Sequence, residues 1–146
     1  MFAVSSDYVF SSLQLFSEKT GKIQRLLTIK EHVMLVKRLT VGPILGATDT
    51  TSARIFGRSE FEIDGDQPRR AHGTIRIRKK GNLSFSAPIF FKMNPNFDMT
   101  GLAIVSDLHS NTTYEYQMGW FYSDVESAHI DVANILVWEQ IETVGF

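Results

Sequence analysis

The chain has 146 residues with 15 Lys and Arg against 16 Asp and Glu, a net charge of −1, 12% aromatics and no cysteine. That length fits one domain with a single core of ordinary size, and the missing cysteine excludes disulfides, Fe–S clusters and thiolate zinc sites together. No apolar run reaches the roughly 20 residues that cross a bilayer, and MFAVSSDYVFSSLQLF has no positive lead and carries Asp7 in its apolar stretch, so neither a membrane span nor a signal peptide is expected and the compartment stays open.

Residues 1–36 read as an N-terminal extension. Val9, Leu13 and Phe16 share one helical face, which predicts a short helix before the mixed stretch from Ile23 to Val36. From residue 37 onward, short apolar runs alternate with clusters of Gly, Pro, Asn, Asp and Ser, the cadence of an all-β chain. The runs are LTVGPILGAT (39–48), TSARIFGR (51–58), AHGTIRIRKK (71–80), SAPIFFKMN (86–94), MTGLAIVSDL (99–108), TTYEYQMGWFY (112–122) and ILVWEQIETV (135–144). Seven such strands predict a fibronectin III or immunoglobulin-like β-sandwich over residues 37–146. IDGDQPRR, KKGNLS and MNPNFD supply the turn residues between them.

Alternation assigns the faces. Ile75 and Ile77 point one way, and Thr74, Arg76 and Arg78 the other. Tyr114, Tyr116, Met118 and Trp120 likewise alternate with Thr113, Glu115, Gln117 and Gly119, which predicts a core face and a solvent face for each strand. In a fibronectin-like order the two strands are neighbours, so Arg76 and Arg78 are expected across from Glu115 and Gln117. Such pairing accounts for part of a charge split: all 15 Lys and Arg lie at or before Lys92, and the last 54 residues hold eight acids and no Lys or Arg. Arg69 to Lys80 contains six basic residues, yet its arginines alternate with isoleucines and no aromatic interleaves them. We read it as a solvated face, with no nucleic-acid partner. Asn82-Leu83-Ser84 and Asn111-Thr112-Thr113 are glycosylation sequons, which matter only in a eukaryotic secretory pathway.

Asp107 and His109, one residue apart at the end of an apolar strand, have the spacing with which a two-metal phosphoesterase site can begin. Such a site needs several further ligands. After His109 there is one more histidine, His129, and the sole Gly-Asp, Gly65-Asp66, comes before the motif and runs into Gln67 and Pro68. Two side chains alone hold a metal loosely, so neither residue is read as a ligand, and no metal or cofactor is expected in this chain. The same letters suit a tyrosine corner better, with Leu108, Thr112 and Tyr114 in LHSNTTY as its structural residues. Asp107 and His109 then flank the corner as exposed polar groups. A hydrolase triad lacks its GxSxG elbow, and no phosphate-cradling glycine loop is present.

VGPILGATDTTSARIFGR (41–58), taken with LHSNTTYEYQMGW (108–120), closely resembles the N-terminal domain of alkaline phosphatase D (PhoD-like) proteins. The resemblance covers about residues 37–146. It implies a fibronectin III-like sandwich placed ahead of a metallophosphatase domain, with Phe56 standing where the family usually has Trp and Gly57 where it has a larger apolar residue. The family's metal ligands and nucleophile belong to that later domain, so the resemblance implies no catalytic residue here. The expected partner is the PhoD-like catalytic domain, in cis in a parent protein, and the chain is expected to be a stand-alone or truncated form without phosphatase activity of its own.

In TSARIFGR, Ala53, Ile55 and Gly57 share one face, which puts Phe56 on the other between Arg54 and Arg58. An outward aromatic between two arginines suggests a contact surface, covered either by the catalytic domain or by residues 1–36. Two other readings are an independent interaction or adhesion module and a minimal phosphoesterase built on Asp107 and His109.

Overall fold

The computed structural model describes residues 33–146, so the helix expected around Val9, Leu13 and Phe16 lies outside the described residues. In chain order the strands are β1 (Met34–Leu35), β2 (Val41–Thr48), β3 (Ala53–Arg58), β4 (Ile63–Asp64), β5 (Gln67–Pro68), β6 (Ala71–Lys79), β7 (Ile89–Met93), β8 (Thr100–Val105), β9 (Tyr114–Tyr122), β10 (Leu136–Val137) and β11 (Val144–Gly145). Chain contacts divide them into two units. One comprises Leu35–Asn134 with Trp138–Phe146; of the other, only Met34 and Ile135–Val137, with Val33, are among the described residues.

The larger unit is an all-β sandwich. A three-stranded sheet in the order β2-β3-β8 and a four-stranded sheet in the order β11-β9-β6-β7 are antiparallel throughout. Ile55, Ala103 and Val105 from the first sheet meet Ile75, Tyr116 and Met118 from the second in one buried cluster. Ala71, Met93, Met99 and Trp120 form another. Alternation in sequence thus becomes two inner faces that interdigitate, which is how sandwiches bury a core with strands that stay polar on the other side.

Gly57 has a packing reason. It lies opposite Gly101, and a Cβ there would come 2.7 Å from a methyl carbon of Leu39, so Leu39 fills the space that a larger residue would take. The turns follow their chemistry as well. Asn94 caps the one-turn 3-10 helix Pro95–Phe97, its Oδ1 accepting the N–H of Asn96 at 2.9 Å. The IDGDQPRR stretch closes as the small β4–β5 hairpin around Gly65 at φ 69°.

Six of the seven expected strands are present with trimmed ends. The seventh is corrected. ILVWEQIETV is not one strand: Ile141 N donates to Trp138 O at 2.9 Å, which closes a turn, and only Val144–Gly145 pairs with β9. Trp138 and Ile141 are both buried, three residues apart. A strand would send them to opposite faces, whereas a turn brings both onto the outer side of the four-stranded sheet. They arrive there over Arg76 and Gly119 respectively.

A second correction follows from the same segment. Arg76 pairs with Gln117 and Arg78 with Glu115, as the fibronectin-like order requires, but the face that carries them is not open to solvent. Thr74 and Gln117 are buried, and Gln117 Nε2 donates to the carbonyl of Ile141 at 3.1 Å. The free edge of β9 is closed by short pieces rather than by a full strand: Lys37 bridges Trp120 through two backbone hydrogen bonds, and Val144–Gly145 with Phe146 pair near Tyr114.

Candidate functional site

The corner after β8 turns on two residues in the left-handed region, Asp107 at φ 59° and Asn111 at φ 57°. Aspartate and asparagine tolerate that conformation better than most residues do. Leu108 packs against the core cluster, and its N–H donates to the carbonyl of Thr51 at 2.9 Å. Tyr114, buried and stacked on Phe146 at 5.9 Å, accepts the backbone N–H of His109 on its hydroxyl at 2.7 Å. Thr112 Oγ1 donates to the carbonyl of Ser110 at 3.0 Å. His109 therefore serves the corner through its backbone.

The side chains of Asp107 and His109 are exposed. Among the described residues no three His, Asp or Glu side chains gather into a group that could hold a metal. Beside the corner lies an open cleft of about 570 Å³ lined by Leu45, Asp49, Leu108, His109, Tyr114 and Phe146 among others. Its carboxylate is already engaged. Asp49 Oδ1 accepts the N–H groups of Thr51 and Ser52, each at 2.8 Å, and Oδ2 accepts the Ser52 hydroxyl at 3.0 Å. The Thr51 bond first, then those from Ser52, hold the Asp49 carboxyl below its ordinary range.

The three residues singled out on β3 fall on the outer face of the three-stranded sheet. Strand register sets Ile44 and Leu102 on either side of Phe56, Ile104 across from Arg54, and Thr100 across from Arg58. Ile44 is 52% exposed, Ile104 49%, Phe56 37% and Leu102 36%, so a contiguous apolar row faces outward. Gly46 forms part of its floor, since a Cβ there would come 2.6 Å from the Phe56 ring. A cleft of about 360 Å³ lined by Phe56, Phe97 and Leu102 continues the row past the sheet edge. Arg58 is held by Asp98, Nε to Oδ2 at 2.9 Å and Nη2 to Oδ1 at 3.2 Å. Arg54 has neither a hydrogen bond nor an ion pair among the described residues.

The outer face of the four-stranded sheet is finished differently. The guanidinium carbon of Arg76 lies 4.5 Å from the centroid of Phe85 and 4.5 Å from that of Trp138, and Arg78 lies 4.1 Å from Phe85. The order Arg78, Phe85, Arg76, Trp138 is a stack of alternating cations and aromatic rings. Each arginine also finds an acceptor on the neighbouring strand, Arg76 Nε to Gln117 Oε1 at 2.8 Å and Arg78 Nε to Glu115 Oε1 at 2.9 Å. Burial, and then the neighbouring charge of Arg78, lower the pKa of Arg76 from its ordinary value. A guanidinium sheds its water more readily than an ammonium does, which suits it to such a stack.

His72 was not singled out by its sequence context. It is 1% exposed on the same outer face, with Nδ1 2.6 Å from Ser127 Oγ and Nε2 3.2 Å from the carbonyl of Ser123. A carbonyl only accepts, so Nε2 carries the proton and Nδ1 accepts from the serine hydroxyl. Burial first depresses its pKa below the ordinary 6.5. It pins the loop after β9 onto the sheet.

No protein-family model matches the sequence, and no curated protein matches it. Among solved structures, the chain is similar to the sensor domain of the anti-sigma factor RsgI4 from Pseudobacteroides cellulosolvens, with 19% identity, 58% of this chain and 91% of that chain covered, and a TM-score of 0.34.

Proposed function

We propose that this chain is a non-catalytic accessory β-sandwich that packs on and orients a PhoD-like catalytic metallophosphatase domain. The observation that carries the reading is the convergence of the two resembling stretches in space. VGPILGAT forms β2, ARIFGR forms β3 beside it, and the corner LHSNTTY closes onto the turn between them through the Leu108–Thr51 hydrogen bond. The two residues with metal-ligand spacing sit exposed on that corner, one of them lending its backbone to the tyrosine hydroxyl. A module of this kind acts through its surface, and the bare outer face of β2-β3-β8 is the surface it offers.

The test is to titrate the 146-residue chain into a PhoD-like catalytic domain that lacks its own N-terminal sandwich, following binding by calorimetry and turnover with a chromogenic phosphodiester. Association with a rise in the thermal stability of the catalytic domain is expected, with no turnover by the added chain alone. Metal-dependent turnover by the chain alone, abolished by His109→Ala, would return Asp107 and His109 to candidacy as ligands. Failure to associate would favour the independent interaction module.

A further inference from the structure

β8 is an edge strand, and its backbone shows which groups it leaves over. The carbonyl of Met99 accepts the N–H of Ser59, just past β3, at 3.0 Å, and the carbonyl of Thr100 accepts the N–H of Asn94 from the other side, also at 3.0 Å. Successive residues of a strand present their backbone groups to opposite sides, so Gly101, Ala103 and Val105 address β3 while Leu102 and Ile104 point theirs away from it. Among the described residues β8 pairs only with β3, and no backbone group meets the N–H or C=O of Leu102 or Ile104. Both residues are exposed.

The edge is also undefended. Edge strands are commonly protected by charge, proline or a bulge. β2 has Pro43 and two breaks in register, β7 has Lys92, and the edge of β9 is covered. β8, TGLAIV, has no charge, no proline and an unbroken register with β3.

We propose that this protein forms a two-fold dimer by antiparallel pairing of β8 with β8 of a second copy, which joins two three-stranded sheets edge to edge. The occupant follows from the spacing of the unpaired groups. Pairing centred on Ala103 sets Leu102 against Ile104 of the second copy, twice, and each of these residues then gives one backbone hydrogen bond and receives one. No group of Leu102 or Ile104 is left over. Asn94 already holds the carbonyl of Thr100, which stops the pairing there and fixes its register. On the outer face Leu102 meets Ile104 as an apolar cross-strand pair, and an uncharged strand opposes no like charges when it meets itself. Residues 1–32 precede Lys37, which bridges β9, whereas β8 lies beside β7 with β6 between β7 and β9. The pairing uses the sheet edge and does not depend on the accessory-domain reading.

The test is sedimentation velocity of the full chain over a range of concentrations, together with amide hydrogen exchange at Leu102 and Ile104. A monomer–dimer equilibrium is expected, with exchange at both amides slowing as the dimer forms. Two double variants read the register. Leu102→Lys with Ile104→Lys sets like charges opposite each other in both pairs and should weaken association at least about tenfold. Leu102→Lys with Ile104→Glu sets opposite charges there and should recover most of that loss. Its dimer should also weaken with salt where that of the unaltered chain does not, so the test stays decisive even if the double-lysine variant fails to fold. A monomer at every concentration overturns the proposal, and so does a dimer that the double-lysine variant leaves intact or that the lysine–glutamate variant does not restore. Protection of both amides that is unchanged on dilution would put another segment of the same chain, such as residues 1–32, on this edge and also overturns it.

Discussion

The outward surfaces of the two sheets differ in who covers them. Over β6 and β9 the chain folds back on itself: Trp138, Ile141 and Phe85 close the sheet, Gln117 is tied to Ile141, and His72 holds the loop after β9. Over β2, β3 and β8 the described chain leaves Ile44, Phe56, Leu102 and Ile104 exposed. Similar residue types on paired strands thus end in a finished surface on one side and an open one on the other. The difference is supplied by segments outside the strands. A sheet face is closed by what crosses it, and the arginines on both faces show what kind of covering suits them.

That contrast makes unequal demands on stability. Trp138→Ala should have the largest effect, a loss of about 3 kcal/mol in urea unfolding, because a buried aromatic leaves a cavity and frees the segment that covers Gln117. Arg76→Ala should come next at about 2 kcal/mol. It removes the stacked guanidinium and leaves the buried Gln117 oxygen without its donor. A loss as small as that of an exposed arginine would mean that the stack contributes nothing.

His72 gives the closed face a pH signature. Its folded pKa is depressed below 6.5, so the unfolded chain takes up the proton first as pH falls. Stability from this group is full above the unfolded value and declines as pH drops below about 6.5, levelling off under the folded value. His72→Phe should flatten that part of the unfolding-midpoint profile, and a profile unchanged by the substitution would remove His72 as the source. On the open face the expected change is smallest. Phe56→Ser should shift unfolding by no more than about 1 kcal/mol, since the ring is already partly in water. A larger loss would show that Phe56 is structural and not held ready for contact.

Much of this fold can be read from alternation. Ile75 and Ile77 against Arg76 and Arg78, and Tyr116 and Met118 against Glu115 and Gln117, carry a period of two that only a strand satisfies. The hydrogen bonds within the corner are equally local, Thr112 acting on Ser110 and Tyr114 on His109, whereas Leu108 reaches Thr51 and the core. What escapes is tertiary cover. The six basic residues between Arg69 and Lys80 have no aromatic among them in sequence, and the rings that stack on two of them come from a loop and from a turn near residue 138. ILVWEQIETV has strand composition throughout, yet the buried surface available to Trp138 and Ile141 lies on one side only, and that overrides propensity. His72 is invisible for the same reason, since Ser123 and Ser127 reach it only once β9 has returned.

The edge of β9 has a further consequence. A nine-residue strand with a bare edge is a template on which other chains can add, the first step toward fibrous aggregates. Here that edge is occupied piecemeal by Lys37 and by Val144 to Phe146, leaving no uninterrupted row of free amides. On the opposite sheet β2 carries Pro43 and two breaks in register, so it too is a poor seed. Strand addition along these two edges is thereby disfavoured, which leaves the side chains on the flat of a sheet as the more accessible means of contact on this side of the sandwich.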